Sequence, residues 1–261
     1  MRIAGPARLL GRALVLVVGL ATIGGSALAQ GKVVVSHDEW FTQSGYFNSN
    51  EQQFVGNVLG FFGLHSGSSV LLYSSDGFLT NSGFVNFLTA NGINVTTDAN
   101  ASSFSGYDAV FTEGNGNLTT TGGSLASYVN AGGNVFDIGG TGVGGSVAEA
   151  AYNNTFLSYF GLTMAPTYNG ISGNVSTTGF AAQGPFGGAL FTNVSSVYAN
   201  NGSDVALSAT PVSGVTSQVF YSGNAGVFAA AQTSTVPEPT SIALLGTGLV
   251  GLAPMVRRRR R

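Results

Sequence analysis

The chain has 261 residues, 44% of them apolar and only 8% charged, with 40 Gly, 7 Pro and no Cys. Such a composition excludes a charge-rich disordered chain, a disulfide-stapled scaffold, and thiolate chemistry of any kind, nucleophilic or metal-binding. The formal charge is −2, but eight of the nine basic residues lie at the two ends (Arg2, Arg8, Arg12 and Arg257 to Arg261), which leaves Lys32 alone against eleven acids and excludes nucleic acid as a partner.

In chain order, the three N-terminal arginines precede the apolar run 13–23, and the small residues Ala27 and Ala29 follow it. This is the layout of a secretory signal peptide over residues 1–29, cut by signal peptidase before Gln30; eleven apolar residues are too few to span a bilayer. The mature chain is therefore expected outside the cytoplasm.

The body, residues 30–232, alternates β-branched runs with helical patterns, the signature of βα units and a mostly parallel, doubly wound α/β sheet. A strand is predicted over 32–36. A helix follows from about Glu51, capped by Ser49 or Asn50, with Phe54, Val55, Val58, Leu59 and Phe62 on one stripe. A second strand covers 69–73, and a helix from about Ser82 stops at Asn91-Gly92. Strands over 93–96 and 107–112 come next, then a helix marked by Leu125, Tyr128 and Val129, a strand over 134–138, a Gly-rich turn over 139–145 and a helix over 147–159. Beyond Pro166 the composition shifts to Gly, Ser, Thr and Asn, with short strands predicted at 194–198, 204–208, 218–221 and 226–230. Those strands extend the sheet at its edge or form a β appendage, and the pattern leaves both open.

The run Tyr107-Asp108-Ala109-Val110-Phe111, the helix around 125–129 and the segment Ala131-Gly132-Gly133-Asn134-Val135-Phe136 resemble the core of class I glutamine amidotransferase-like folds. The likeness covers about half the body and implies a fold, not an activity. The amidotransferase reaction needs a cysteine just after the strand, where this chain reads Asp137-Ile138-Gly139-Gly140-Thr141-Gly142. That loop also lacks a P-loop lysine and a full dinucleotide fingerprint, so its glycines read as a tight turn with positive φ.

The C-terminal segment, 233–261, contains Pro237-Glu238-Pro239, an apolar stretch over 241–256 and the basic cluster Arg257, Arg258, Arg259, Arg260 and Arg261. Sixteen helical residues rise about 24 Å, short of a hydrocarbon core of about 30 Å, but enough for a stop-transfer helix held in the membrane before processing, with its arginines in the cytoplasm. The three parts together resemble the PEP-CTERM sorting signal. The resemblance implies recognition by an exosortase-type membrane protease near the Pro-Glu-Pro element. It also implies passage through the inner membrane to the cell surface or extracellular matrix of a Gram-negative, exopolysaccharide-producing bacterium.

Candidate chemistry collects at the carboxyl ends of the predicted strands, where open α/β sheets bind ligands. Asp38 and Glu39 follow the first strand, Asp76 the second, Glu113 the fourth, and Asp137 ends the fifth, with His37 and Trp40 alongside. Two roles fit such a group. The acids can cap turns by accepting backbone hydrogen bonds, or they can act together on a sugar or on a hard cation such as calcium, with Trp40 as a stacking face. His65, just past an apolar helix, reads as an end-of-helix residue facing the dipole. The leading reading is a non-enzymatic exported protein of the envelope or exopolysaccharide matrix, without a resident cofactor, its uncharged polar surface suited to extracellular polysaccharide. The rival readings are a carbohydrate hydrolase using Asp38, Glu39, Asp76, Glu113 and Asp137, and a calcium-stabilised module.

Overall fold

A computed structural model describes residues 30–113, 118–140 and 142–234. The signal peptide, the apolar sorting helix and the arginine cluster lie outside the described residues. No helix among the described residues is long and apolar enough to cross a membrane.

The chain opens with β1 (Lys32–Ser36), α1 (Ser49–Phe62), β2 (Ser69–Tyr73), α2 (Ser82–Ala90), β3 (Asn94–Thr97), β4 (Ala109–Glu113), α3 (Leu118–Asn130), β5 (Asn134–Ile138) and α4 (Ser146–Leu157). The second half supplies β6 (Leu162–Tyr168), β7 (Ser172–Ser176), α5 (Gly187–Phe191), β8 (Ser196–Asn200), β9 (Ser203–Leu207), β10 (Val215–Ser222) and β11 (Ala225–Thr233).

Seven strands form one sheet in the order β10-β11-β1-β5-β4-β2-β3. The five from β1 to β3 are parallel, while β11 and β10 add antiparallel at the β1 side. Counted from β2, the order is the 2-1-3-4 of a common doubly wound sheet, with the N-terminal strand β1 taking the fifth parallel place. Connections running toward β3 carry α1 and α2 over one face, and the return from β4 to β5 carries α3 over the other, as a single crossover hand requires. The central strands β4 and β5 are buried at every position, including Thr112, Glu113, Asn134 and Asp137. At the edge, β3 is short, polar and mostly exposed.

Two cores result. On one face Phe54 from α1, Phe84 from α2 and Phe191 from α5 pack on Phe111, Phe136 and Phe228 of the sheet. On the other, Leu125 and Val129 of α3 and Phe156 and Leu157 of α4 cover Val33, Val110 and Val135. The first helix begins at Ser49, and its N-cap is Asn48 rather than Ser49 or Asn50, the Asn48 side chain accepting from Asn50 N at 3.0 Å while Glu51 accepts from Asn48 N at 3.2 Å. It ends at Gly63, whose φ of 77° lets Leu64 N donate back to Leu59 O.

Both options for the C-terminal strands are realised. The β10–β11 hairpin extends the sheet, and the pairs β6–β9 and β7–β8 form separate two-stranded ribbons. Three elements, β6, β7 and α5, were not expected from sequence. The last strand runs to Thr233, one residue past the anticipated end of the body, where Gly31 N donates to Thr233 Oγ1 and Thr233 N to Gly31 O, each at 3.0 Å. The two ends of the body thus meet at the amino end of β1, opposite the strand ends that carry the acids.

Candidate functional site

The crevice outside β2 and β4 is the topological switch point, because the chain leaves β2 toward β3 but leaves β4 toward β5. Asp76 follows β2 there and Glu113 ends β4. Glu39 reaches the same place from the turn after β1. One carboxylate oxygen from each of Glu39, Asp76 and Glu113 lies within 4.8 Å of the others.

The three acids are held differently. Glu113 is wholly buried and accepts from Leu79 N at 2.5 Å and from the Ser74 hydroxyl. Burial and the Asp76 charge push it up to about 7, against the pull of those two donors. Asp76 is half-buried and accepts from Phe78 N at 3.1 Å. Glu39 is 1% exposed, and its Oε2 has no hydrogen-bond partner. Burial first, then the charges of Glu113, Asp76, Asp38 and Glu149, drive its carboxyl up to about 11, so with no cation beside it Glu39 keeps its proton at neutral pH.

The other two predicted acids go elsewhere. Asp38 caps the turn, accepting from Trp40 N at 2.7 Å and from Asn200 N at 2.9 Å, and so ties β1 to β8. Burial outweighs those donors and raises it to about 6. Asp137 sits in β5 opposite Thr112, one residue out of step with Glu113, which pairs with Ile138. The pleat therefore sends Asp137 into the α3–α4 core, where neither oxygen has a partner and burial, helped by Glu149, holds it well above the usual carboxylate range. The expectation of one five-acid group is corrected to a trio plus two separate acids.

The histidines also depart from expectation. His37 does not join the acids: its buried ring accepts at Nδ1 from Asn169 Nδ2 at 3.1 Å and packs edge-on against Phe228. Burial lowers it to about 3, which fixes a neutral imidazole. His65 is exposed, and its Nδ1 lies 3.0 Å from the Ser66 carbonyl rather than on the carbonyls that end α1. It lines a cavity of about 380 Å³ at the amino ends of the strands, with Tyr107, Asp108 and Tyr128.

The Gly-rich turn after β5 is a tight structural loop. Gly140, Gly142, Gly144 and Gly145 all have positive φ, and a Cβ on Gly140 would stand 2.8 Å from Asp38 Cα. Its amides already face an anion, since Glu149 of α4 accepts from Gly140 N and from Gly142 N. That carboxylate takes the place a nucleotide phosphate would need.

A cleft of about 350 Å³ is lined by Glu39, Trp40, Phe78, Gly140, Gly142, Tyr168, Asn200 and Asn201, so of the trio Glu39 reaches it. Trp40 continues an aromatic row: its ring centroid lies 5.6 Å from Phe78 and 5.9 Å from Tyr46, which stacks on Tyr198 at 3.8 Å. All four rings are partly exposed. Of this surface Glu39, Trp40 and the glycine turn at Gly140 and Gly142 were singled out from sequence. Tyr168, Tyr198, Asn200 and Asn201 arrive on the two β ribbons, and the one signal for them was aromatic residues set in an Asn- and Gly-rich stretch.

Comparison with known proteins bears on the chain's destination. Residues 235–261 match the PEP-CTERM protein-sorting motif. No curated protein and no solved structure matches the chain, so the likeness to amidotransferase folds finds no support there. The sorting motif supports an exported protein handled by an exosortase-type system and carried to the cell surface.

Proposed function

We propose that the exported body is a non-enzymatic glycan-associating protein of the envelope or exopolysaccharide matrix, and that the aromatic row and cleft at the carboxyl edge form its glycan surface. The observation that carries this reading is the continuous row Phe78, Trp40, Tyr46 and Tyr198 beside a cleft that also offers the amides Asn200 and Asn201. Aromatic faces pack on the apolar faces of pyranose rings, and amides bond hydroxyls without bringing charge.

The hydrolase alternative needs two carboxyl groups facing a sugar across an open cleft. Among the described residues Glu39 lines the cleft, while Glu113 is fully buried and bonded on both oxygens. The arrangement therefore favours binding over hydrolysis.

Affinity electrophoresis of the full chain through gels containing the host's exopolysaccharide or a neutral glucan tests the reading. Retardation is expected, and Trp40→Ala and Tyr198→Ala should each weaken it about tenfold, a change of about 1.4 kcal/mol. Retardation by neither polymer, or retardation indifferent to both substitutions, overturns the proposal.

A further inference from the structure

We propose that Glu39, Asp76 and Glu113 form a binding site for one hard divalent cation, calcium by its donor set, reached by the cleft at Glu39. Their three oxygens fall within 4.8 Å of one another. That bound admits three oxygens around one cation at the roughly 2.3–2.6 Å of calcium, and three carboxylates from one chain suit calcium better than Mg²⁺, which usually takes one or two carboxylates and keeps several waters.

An independent observation points to a ligand. Glu39 Oε2 is buried and has no hydrogen-bond partner in a residue only 1% exposed, and a carboxylate oxygen of Glu39 stands beside those of Asp76 and Glu113. A carboxyl group buried beside two others and left unpaired is satisfied by a cation that displaces its proton. Among the described residues no basic side chain stands beside it. The lysine of the body, Lys32, starts β1 at the far end of the strand and donates to Phe61 O at 2.5 Å.

The donor set also selects the metal. It is oxygen alone: His37 is committed to Asn169, His65 lines the cavity at the other end of the strands, and the chain has no cysteine. Such a site suits calcium rather than zinc or copper. Glu39 on the cleft wall and the half-buried Asp76 leave an entry path, and water fills the positions that three carboxylates leave open. This site stands without the glycan reading. If both hold, sugar hydroxyls can replace those waters.

The test is calcium alone, added to the chelator-stripped full-length protein with no glycan present. Calorimetry should show about one equivalent bound per chain with Kd below about 1 mM. Terbium should bind in its place and emit when indole is excited, because Trp40, adjacent to Glu39, is the one tryptophan in the chain. Glu39→Gln and Asp76→Asn should each weaken calcium at least tenfold and remove the sensitised emission, while Asp98→Asn, at an exposed acid elsewhere, leaves both intact. Asp76 is half-buried, so its substitution keeps the test alive if Glu39→Gln impairs folding. Absence of saturable binding below about 1 mM, or binding that neither Glu39→Gln nor Asp76→Asn changes, overturns the site.

Discussion

Asp137 shows how one residue can work against the fold that contains it. It is fully buried in β5, both carboxylate oxygens lack partners, and its carboxyl is held far above the ordinary range by burial and by Glu149. A raised native pKa means that the unfolded chain releases this proton near pH 4 while the folded chain keeps it, so the contribution of Asp137 is most favourable below that pH and is lost as pH rises. Asp137→Asn, which has no proton to lose, should match the parent near pH 3.5 and exceed it by about 1 to 3 kcal/mol at neutral pH, the scale of a buried group left unsatisfied. Urea denaturation of both proteins at the two pH values checks this. Equal stability at neutral pH would show that Asp137 meets a partner in solution.

Among the elements, α1 carries much of the site's scaffolding. Its apolar stripe packs Phe54 against Phe136, Phe191 and Phe228, and its capping box uses Glu51, which also accepts from Tyr198 N at 3.0 Å. The cap therefore joins the start of the helix to the ribbon that bears the Tyr46–Tyr198 stack. Asn48→Ala should cost about 1 kcal/mol, the usual worth of an N-cap, and thermal denaturation reads it directly. A loss within error of zero would mean that Glu51 and the tertiary contacts hold the first turn unaided. At this scale much was legible. The bounds of β1, β2 and β5 coincide with the predicted runs, because strands buried on both faces keep short apolar stretches (Val33 to Val35, Val70 to Leu72, Val135 and Phe136) between turn signals. The elements β6, β7 and α5 escaped because Asn, Gly and Thr set no period, and their form comes from pairing with distant segments.

The whole molecule should titrate in an unusual direction. Asp38 is raised to about 6, Glu113 to about 7, Glu39 to about 11 and Asp137 well above normal, chiefly by burial in each case. Between pH 4 and 7 the folded chain then binds more protons through these groups than the unfolded chain, and their stabilisation is lost as pH rises. His37, lowered to about 3, acts in the opposite sense, costing stability as pH falls through its unfolded value of 6.5. Four acids against one histidine place the maximum of Tm near pH 4 to 5 in the presence of chelator, with a decline toward pH 8. A calorimetric series across that range checks it, and a Tm that rises steadily to pH 8 would contradict these shifts.

From residue types and their order alone came the export signal, the sorting tail, the βα alternation and the gathering of acids at strand ends, since each depends on local composition or period. Strand neighbours, and the face on which each acid falls, had to await the folded chain. Pairing placed β1 between β5 and β11, and a one-residue offset across the pleat separated Asp137 from Glu113. The aromatic row likewise exists only because two ribbons distant in sequence fold over the carboxyl edge and bring Tyr198 onto Tyr46. Contacts of that separation leave no periodic trace in a chain, because they are set by how whole elements pack.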